Sequence, residues 1–507
     1  MIVAVVLGVL AALLLIRLGA QDRGGPAHYD SSIGDGLPVT FYVPGAEDVD
    51  RFPQPPADDH RFPLVIAAHG YSADRQSLST LARSLAHAGY AVLTFDFRGH
   101  GENTHPFEGD LRDDFKAAVD WAVTSPYVDP ARIAVLGHSM GAGAALDFAS
   151  IDDRPIAVVP ISGGYAVNDV HLPANVLLLQ ASGDPDRIKD TQVDVEHDLQ
   201  GRTHVELTQI SGTDHIRIVS ENKTVAAITS FLDPILRPEN PGKRPAGIVD
   251  PRRGTAGFYL LLVIALIGLV GVFVGRSLPA VAVSAGATTV SIGRRFAVLA
   301  GALLATMPLL STGGFNVLPI GAGQPVVVHL ALAGAVLWAL RWGAGRAEPG
   351  TGLARWVGAE PWLPTREEVV AGLIGFFVAF LLLAPLGVMI HRLVPTTERF
   401  VLLVVIALVA LVFFAPFNAL LRRGSTWSAV GYSVLGRILL VVVLFIGAGA
   451  QVLPQVILLV APLFVFQYAL VEIFAGACYA AGRRAAIVAV FDALFVAWVV
   501  TTMTPIG

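Results

Sequence analysis

The sequence is poor in cysteine and in charge. Of 507 residues one is cysteine and 15% are charged, where an ordinary soluble domain has roughly 25% charged residues. A lone thiol, Cys478, excludes an intramolecular disulfide and a thiolate metal centre. There is no His-Glu-x-x-His pair, no P-loop and no dinucleotide fingerprint, so neither a metal nor a cofactor is implied. Positive charge is scarce where a nucleic acid would need it. Residues 20–255 hold 33 acidic and 20 basic side chains, a balance of −13, which repels phosphate and argues against a nucleic-acid partner. Residues 256–507 hold only 7 acidic and 14 basic side chains, a balance of +7. That division describes a soluble domain joined to a membrane domain, and leaves no room for disorder or a disulfide scaffold.

What the chain does have is long apolar runs. After Gly257 they fall at about 257–275, 296–315, 325–342, 369–390, 400–421, 438–453, 455–477 and 485–503, each near the roughly 20 residues a bilayer requires. Met1 to Ile16 is almost purely aliphatic. It reads as an anchor helix over 1–19 or as a signal peptide; the absence of basic residues ahead of the apolar core favours the anchor. Nine spans result. With eight C-terminal spans, one set of loops contains Arg276, Arg294, Arg295, Arg341, Arg346, Arg355, Arg366, Arg422, Arg423, Arg437, Arg483 and Arg484, and the other only Arg392 and Arg399. Twelve arginines against two place the first set in the cytoplasm, and residues 20–237 outside. Lys243, Arg244, Arg252 and Arg253, in a Pro-rich linker over 238–255 just before the second span, run against this rule. Within the spans His329, Glu472 and Asp492 are costly in lipid and stand as functional suspects beside Asn418 and Gln467; interhelical hydrogen bonding is the plainer reading.

Between residues 38 and 235 short aliphatic runs alternate with amphipathic stretches, the pattern of a mostly parallel sheet covered by helices. Strands are expected at Leu64–Ala68, Ala91–Asp96, Ile133–Leu136, Ile156–Ile161, Val176–Gln180 and His204–Thr208, and helices at 75–87, 110–123, 140–150 and 216–232. Chemistry on such sheets gathers at the carboxyl ends of strands. There stands Gly137-His138-Ser139-Met140-Gly141, directly after the strand and before a helix of small residues. A Gly-x-Ser-x-Gly pattern in that setting is a nucleophile elbow. Ser139 then needs a base and an orienting acid downstream. His215, after the last strand, is the expected base; His197 and His204 are poorer placed. Asp184 and Asp186, in Gly183-Asp184-Pro185-Asp186, both follow a strand end and either can serve as acid. The oxyanion needs two backbone N–H groups, expected from Met140 and, in the loop His69-Gly70-Tyr71, from Tyr71.

Together with Asp96-Phe97-Arg98-Gly99-His100-Gly101 and Asp214-His215, these motifs resemble the α/β-hydrolase superfamily, in the branch of monoacylglycerol lipases, lysophospholipases and serine aminopeptidase-like enzymes. The resemblance covers about 200 residues and does not extend to the membrane half. It implies Asp186 as the acid, a structural role for Asp96, Arg98 and His100, and acyl transfer to Ser139. Only 13 residues separate Ile161 from Asn175, too few for the helical cap of such lipases, so the site is expected to be open. The expectation is a membrane-anchored serine hydrolase of α/β-hydrolase fold plus an all-α helix bundle. Its substrate would be an ester, lipid-like in one form, or a thioester or amide, ester being favoured over peptide, with membrane lipids around the bundle. The rival is a transporter or channel carrying a hydrolase-shaped regulatory domain. Oligomeric state is not encoded in any motif.

Overall fold

Leu64, Ile66 and Ala68 face one way and Val65 and Ala67 the other, yet all five are fully buried. A strand apolar on both faces belongs in the middle of a helix-covered sheet. In the computed structural model, which describes residues 2–44, 61–164, 173–239, 247–281, 291–311, 317–346 and 362–507, that strand is β3 (Phe62–Ala68). The others are β1 (Ala27–Ile33), β2 (Leu37–Val43), β4 (Ala91–Phe95), β5 (Val128–His138), β6 (Pro155–Ile161), β7 (Asn175–Ala181) and β8 (His204–Ile210). They form one sheet in the order β1-β2-β4-β3-β5-β6-β7-β8. From β4 to β8 every pairing is parallel, and β1 and β2 add an antiparallel hairpin at the edge.

Helices cover both faces. Numbering the N-terminal apolar helix Ile2–Arg23 as α1, α2 (Ser79–Ala88) and α6 (Asn222–Leu236) pack on Val65, Ala67 and Val92, while α3 (Leu111–Ala122), α4 (Met140–Ala149) and α5 (Asp186–Leu199) pack on Leu64, Ile66 and Val135. This is the α/β-hydrolase fold that the motifs implied. The hairpin β1–β2 was not legible, because β1 reads Ala-His-Tyr-Asp-Ser-Ser-Ile with no apolar alternation. Its turn, Gly34-Asp35-Gly36, takes positive φ at both glycines, 51° and 102°, where a side chain would be strained.

The chain divides into two units. One comprises Leu13–Phe258, Leu386–Leu393 and Met503–Gly507; the other comprises Met1–Ala12, Tyr259–Pro385 and Val394–Thr502. Two short stretches from the C-terminal half therefore belong with the sheet. Nine helices among the described residues are long and apolar enough to cross a membrane: Ile2–Arg23, Arg252–Arg276, Ile292–Leu310, Gly323–Ala344, Arg366–Ile390, Thr397–Leu421, Thr426–Gly449, Pro462–Gly482 and Ala485–Met503. These are compatible with a multi-pass membrane protein.

One boundary was misplaced. The run expected to start at 438 starts at Thr426, so Arg437 lies inside a helix rather than in a loop. The reason is electrostatic: Arg437 Nη2 donates to Asp492 Oδ2 at 2.8 Å, and its Nε lies 3.3 Å from Glu472 Oε2. Two carboxylates make the interior arginine tolerable. Arg355, Lys243 and Arg244 lie outside the described residues.

Candidate active site

Strand β5 delivers Ser139 and α4 leaves from it. The turn between them is tight enough that a Cβ on Gly137 would lie 1.9 Å from Gly141 O, and one on Gly141 would lie 2.6 Å from Ala68 O. Only glycine fits either place, which is the physical content of the Gly-x-Ser-x-Gly pattern. Ser139 itself sits at φ 55°, ψ −112°, a strained backbone costing about 1–3 kcal/mol. Its N–H donates to Ile161 O at 2.8 Å. The strain lifts the hydroxyl out of the turn toward β7 and β8.

There His215 meets it. Nε2 of His215 is 3.0 Å from Ser139 Oγ, and its Nδ1 is 2.8 Å from a carboxylate oxygen. That carboxylate is Asp184, not Asp186. The expectation for Asp186 is corrected by its position: it is the first residue of α5, its side chain is 94% exposed, and its nearest charge is Lys189 at 3.6 Å. Pro185 holds the extended N-cap conformation (φ −55°, ψ 145°) and turns the chain into the helix, so the two aspartates point apart. Asp184 is buried, and its Oδ2 accepts from Ser162 Oγ and from Ala181 N–H, both at 2.7 Å. Burial alone would raise its pKa, but the hydrogen bonds from His215 and Ser162 and the charge of His215 hold the carboxyl below its ordinary range. Asp184 is thus an ionised acceptor.

Two further histidines frame the site. His138 Nε2 donates to His215 O at 2.7 Å, and burial pushes its pKa down to about 3. His69 is fully buried, with its pKa also lowered to about 3 by burial. Its Nε2 accepts from Phe97 N–H at 3.1 Å and its Nδ1 donates to Gly70 O at 2.8 Å, so one neutral tautomer satisfies both bonds. Sequence reasoning did not single out His138 or Ser162. The signal for Ser162 was its place one residue beyond β6, where the backbone takes φ 49°.

The oxyanion candidates are near. Met140 opens α4, where N–H groups lack intrahelical partners. Gly70 is in contact with the elbow: a Cβ there would lie 3.3 Å from Ser139 Cβ. A cavity of about 370 Å³ opens beside Met140, lined by the start of α3 (Asp110, Leu111, Arg112) and by Ala144 and Asp147 of α4. Asp96, Arg98 and His100 serve the scaffold. Asp96 accepts from Arg75 N–H and Glu102 N–H, Arg98 pairs with Asp114 at 3.1 Å, and His100 reaches Arg98 O and Tyr71 O. Between β6 and β7, residues 165–172 lie outside the described residues.

The intramembrane suspects resolve into partners. Glu472 takes both Nη atoms of Arg422, at 3.0 and 2.6 Å, and Asp492 takes Arg437 and Asn418 Nδ2. His329 Nδ1 lies 3.3 Å from Thr306 Oγ1. The arrangement around Glu472 and Asp492 is charge-balanced, two arginines against two carboxylates, with Asp492 Oδ1 and Arg437 Nη1 buried and without a hydrogen-bond partner.

Comparison with known proteins supports a hydrolase domain. Residues 59–206 match the family model described as serine aminopeptidase, S33. An uncharacterised Mycobacterium tuberculosis protein is 39% identical over 115 residues, covering 22% of this chain and 41% of that protein. A cutinase of Thermobifida alba is 25% identical over 226 residues, covering 40% of this chain and 73% of the cutinase. Among solved structures, a dienelactone hydrolase from Klebsiella pneumoniae aligns at 17% identity with a TM-score of 0.29, over 38% of this chain and 88% of that one. The chain spans less than half the length of the mycobacterial protein it matches.

Proposed function

We propose that this chain is a membrane-anchored serine hydrolase that cleaves an ester, thioester or amide through an acyl-enzyme. One observation carries the reading: Ser139 Oγ, the His215 ring and the Asp184 carboxylate form a single hydrogen-bonded line, with steps of 3.0 and 2.8 Å. In this mechanism His215 Nε2 takes the Ser139 proton as Oγ bonds to the substrate carbonyl carbon. The carbonyl π electrons move onto oxygen, where the N–H groups of Tyr71 and Met140 receive the charge. The tetrahedral adduct collapses, and the leaving alcohol, thiol or amine departs with the proton from His215. Water then repeats the sequence and frees the acyl group. Asp184 stays ionised, keeps Nδ1 protonated and stabilises the imidazolium.

The likeness to a cutinase favours an ester, while the aminopeptidase description of the matching family keeps an amide in view. The cavity beside Met140 offers room for a small acyl or leaving group. The test is labelling of the purified full-length protein with a serine-reactive fluorophosphonate, together with turnover of a panel of p-nitrophenyl esters. Ser139→Ala should abolish labelling and lower turnover by at least about 10³-fold, as loss of a triad nucleophile does. Undiminished labelling in that variant would end the assignment.

A further inference from the structure

The peptide that offers the Tyr71 N–H is held through its other end. Its carbonyl, Gly70 O, accepts from His69 Nδ1 at 2.8 Å and from Ala73 N–H at 3.2 Å. The turn that closes at Ala73 leads directly into Asp74, which is fully buried. Asp74 Oδ1 accepts from Gln76 N–H at 3.0 Å and caps the 3-10 turn Arg75–Leu78. Its other oxygen is taken by residues more than 300 positions away. Oδ2 accepts from the backbone N–H of Arg392 and lies 3.2 Å from His391 Nδ1. Arg392 also pairs with Glu102 on the neighbouring loop, and Ser79 Oγ lies 3.5 Å from Met389 O.

A second distant segment ties the same region from the other side. Ile506 N–H donates to Gly99 O at 2.9 Å, and Phe107 N–H donates to Ile506 O at 2.7 Å. Phe107 packs edge-on against Tyr71 and His100, and His100 Nε2 is 2.6 Å from Tyr71 O. Both tying segments, Leu386–Leu393 and Met503–Gly507, belong to the unit that contains the sheet.

We propose that His391 and Arg392 are positioning residues for the hydrolase: docked on Asp74, the segment Leu386–Leu393 sets the turn that aims the Tyr71 N–H at the oxyanion. This rests on the serine-hydrolase reading of Ser139. Within this unit the segment reaches the oxyanion-donor turn through one buried carboxylate. Misplacing a catalytic donor by about 1 Å costs up to about 10²-fold in rate, and losing it outright costs about 10²–10³-fold.

The experiment uses full-length protein in detergent micelles, a p-nitrophenyl ester and a fluorophosphonate. His391→Leu keeps bulk and removes the ring nitrogen. It should lower kcat and the labelling rate of Ser139 at least about tenfold, with KM changed less than twofold. His391→Asn, which keeps a polar N–H group beside the Asp74 carboxylate, should recover kcat to within about threefold of the parent chain. Deleting Thr504–Gly507 releases Phe107 independently and should also lower kcat rather than raise KM. Each variant is compared at equal monodisperse yield and melting temperature. Parental kcat and labelling rate in a folded His391→Leu protein would overturn the positioning role while leaving the hydrolase intact. So would an equal loss in His391→Leu and His391→Asn. A parent chain without Ser139-dependent labelling would instead remove the hydrolase reading, and this proposal with it.

Discussion

Two aspartates two residues apart differ in everything that matters to a histidine. Asp184 is buried and ends a chain of short hydrogen bonds, whereas Asp186 faces solvent. Asp184→Asn should therefore cut turnover by about 10³–10⁴-fold, because the amide no longer fixes the His215 tautomer or stabilises its cation. Asp186→Asn should stay within about twofold of the parent chain. The ratio of the two kcat/KM values checks this, and a larger loss from Asp186→Asn would contradict the geometry. Ser139 and His215 were legible in the sequence because the elbow fixes its serine between a strand and a helix, and because chain order leaves one well-placed histidine after the last strand. The acid was not legible. Which aspartate turns inward depends on where α5 begins, and that is decided by Pro185 and by the Ala181 N–H that folds Asp184 back. Family likeness pointed to Asp186, the one of the pair that the fold turns away from His215.

At the scale of elements, apolar periodicity located every central strand and every long apolar helix. It failed where polar residues had buried partners. The edge strand β1 carries polar side chains and left no pattern, so its hairpin with the buried β2 was not seen. Arg437 was read as a loop residue for the same reason: a buried cation is recognisable only once its anions are known. Helices Thr426–Gly449 and Ala485–Met503 are joined by Arg437 and Asp492, with Glu472 and Arg422 completing the balance. Breaking a buried pair leaves an uncompensated charge, at a cost of about 3–5 kcal/mol, while neutralising both partners can cost little. Arg437→Leu alone should lower the melting temperature in detergent by several degrees. Adding Asp492→Asn, which keeps an acceptor for Asn418 and leaves Glu472 on Arg422, should restore at least half of that loss. If Arg437→Leu melts like the parent chain, or the double variant melts below the single one, the pair is not a structural lock.

For the whole molecule, we propose an orientation from the arginine bias, with a parity argument beside it. Moving Arg437 into a helix changes the arginine count from twelve against two to eleven against two, and the bias still supports the proposal that the Arg346 and Arg483 loops are cytoplasmic. The outlying basic group also loses force, because Arg252 is buried and bound to Asp250 and Asp22. The second line is parity. Leu386–Leu393 and Met503–Gly507 hydrogen-bond within the unit that holds the sheet, so all three must lie on one side of any bilayer. Among the described residues between Phe258 and Leu386 the apolar helices that can cross are Arg252–Arg276, Ile292–Leu310, Gly323–Ala344 and Arg366–Ile390, an even number, and four more lie between Val394 and Met503. Among the described residues, the eight C-terminal helices long and apolar enough to cross satisfy both constraints. Parity puts the segments on a shared side, and the side proposed from the arginines is the outer one. An epitope tag after Gly507 should accordingly stain on intact spheroplasts, as should one placed before Ala27, whereas a tag beside Arg346 should stain only after permeabilisation. External protease should digest residues 20–240 and spare the Arg346 and Arg483 loops. Staining of the Arg346 tag on sealed spheroplasts would invert the orientation. Opposite exposure of the Gly507 and Ala27 tags would break the parity, and with it the count of eight.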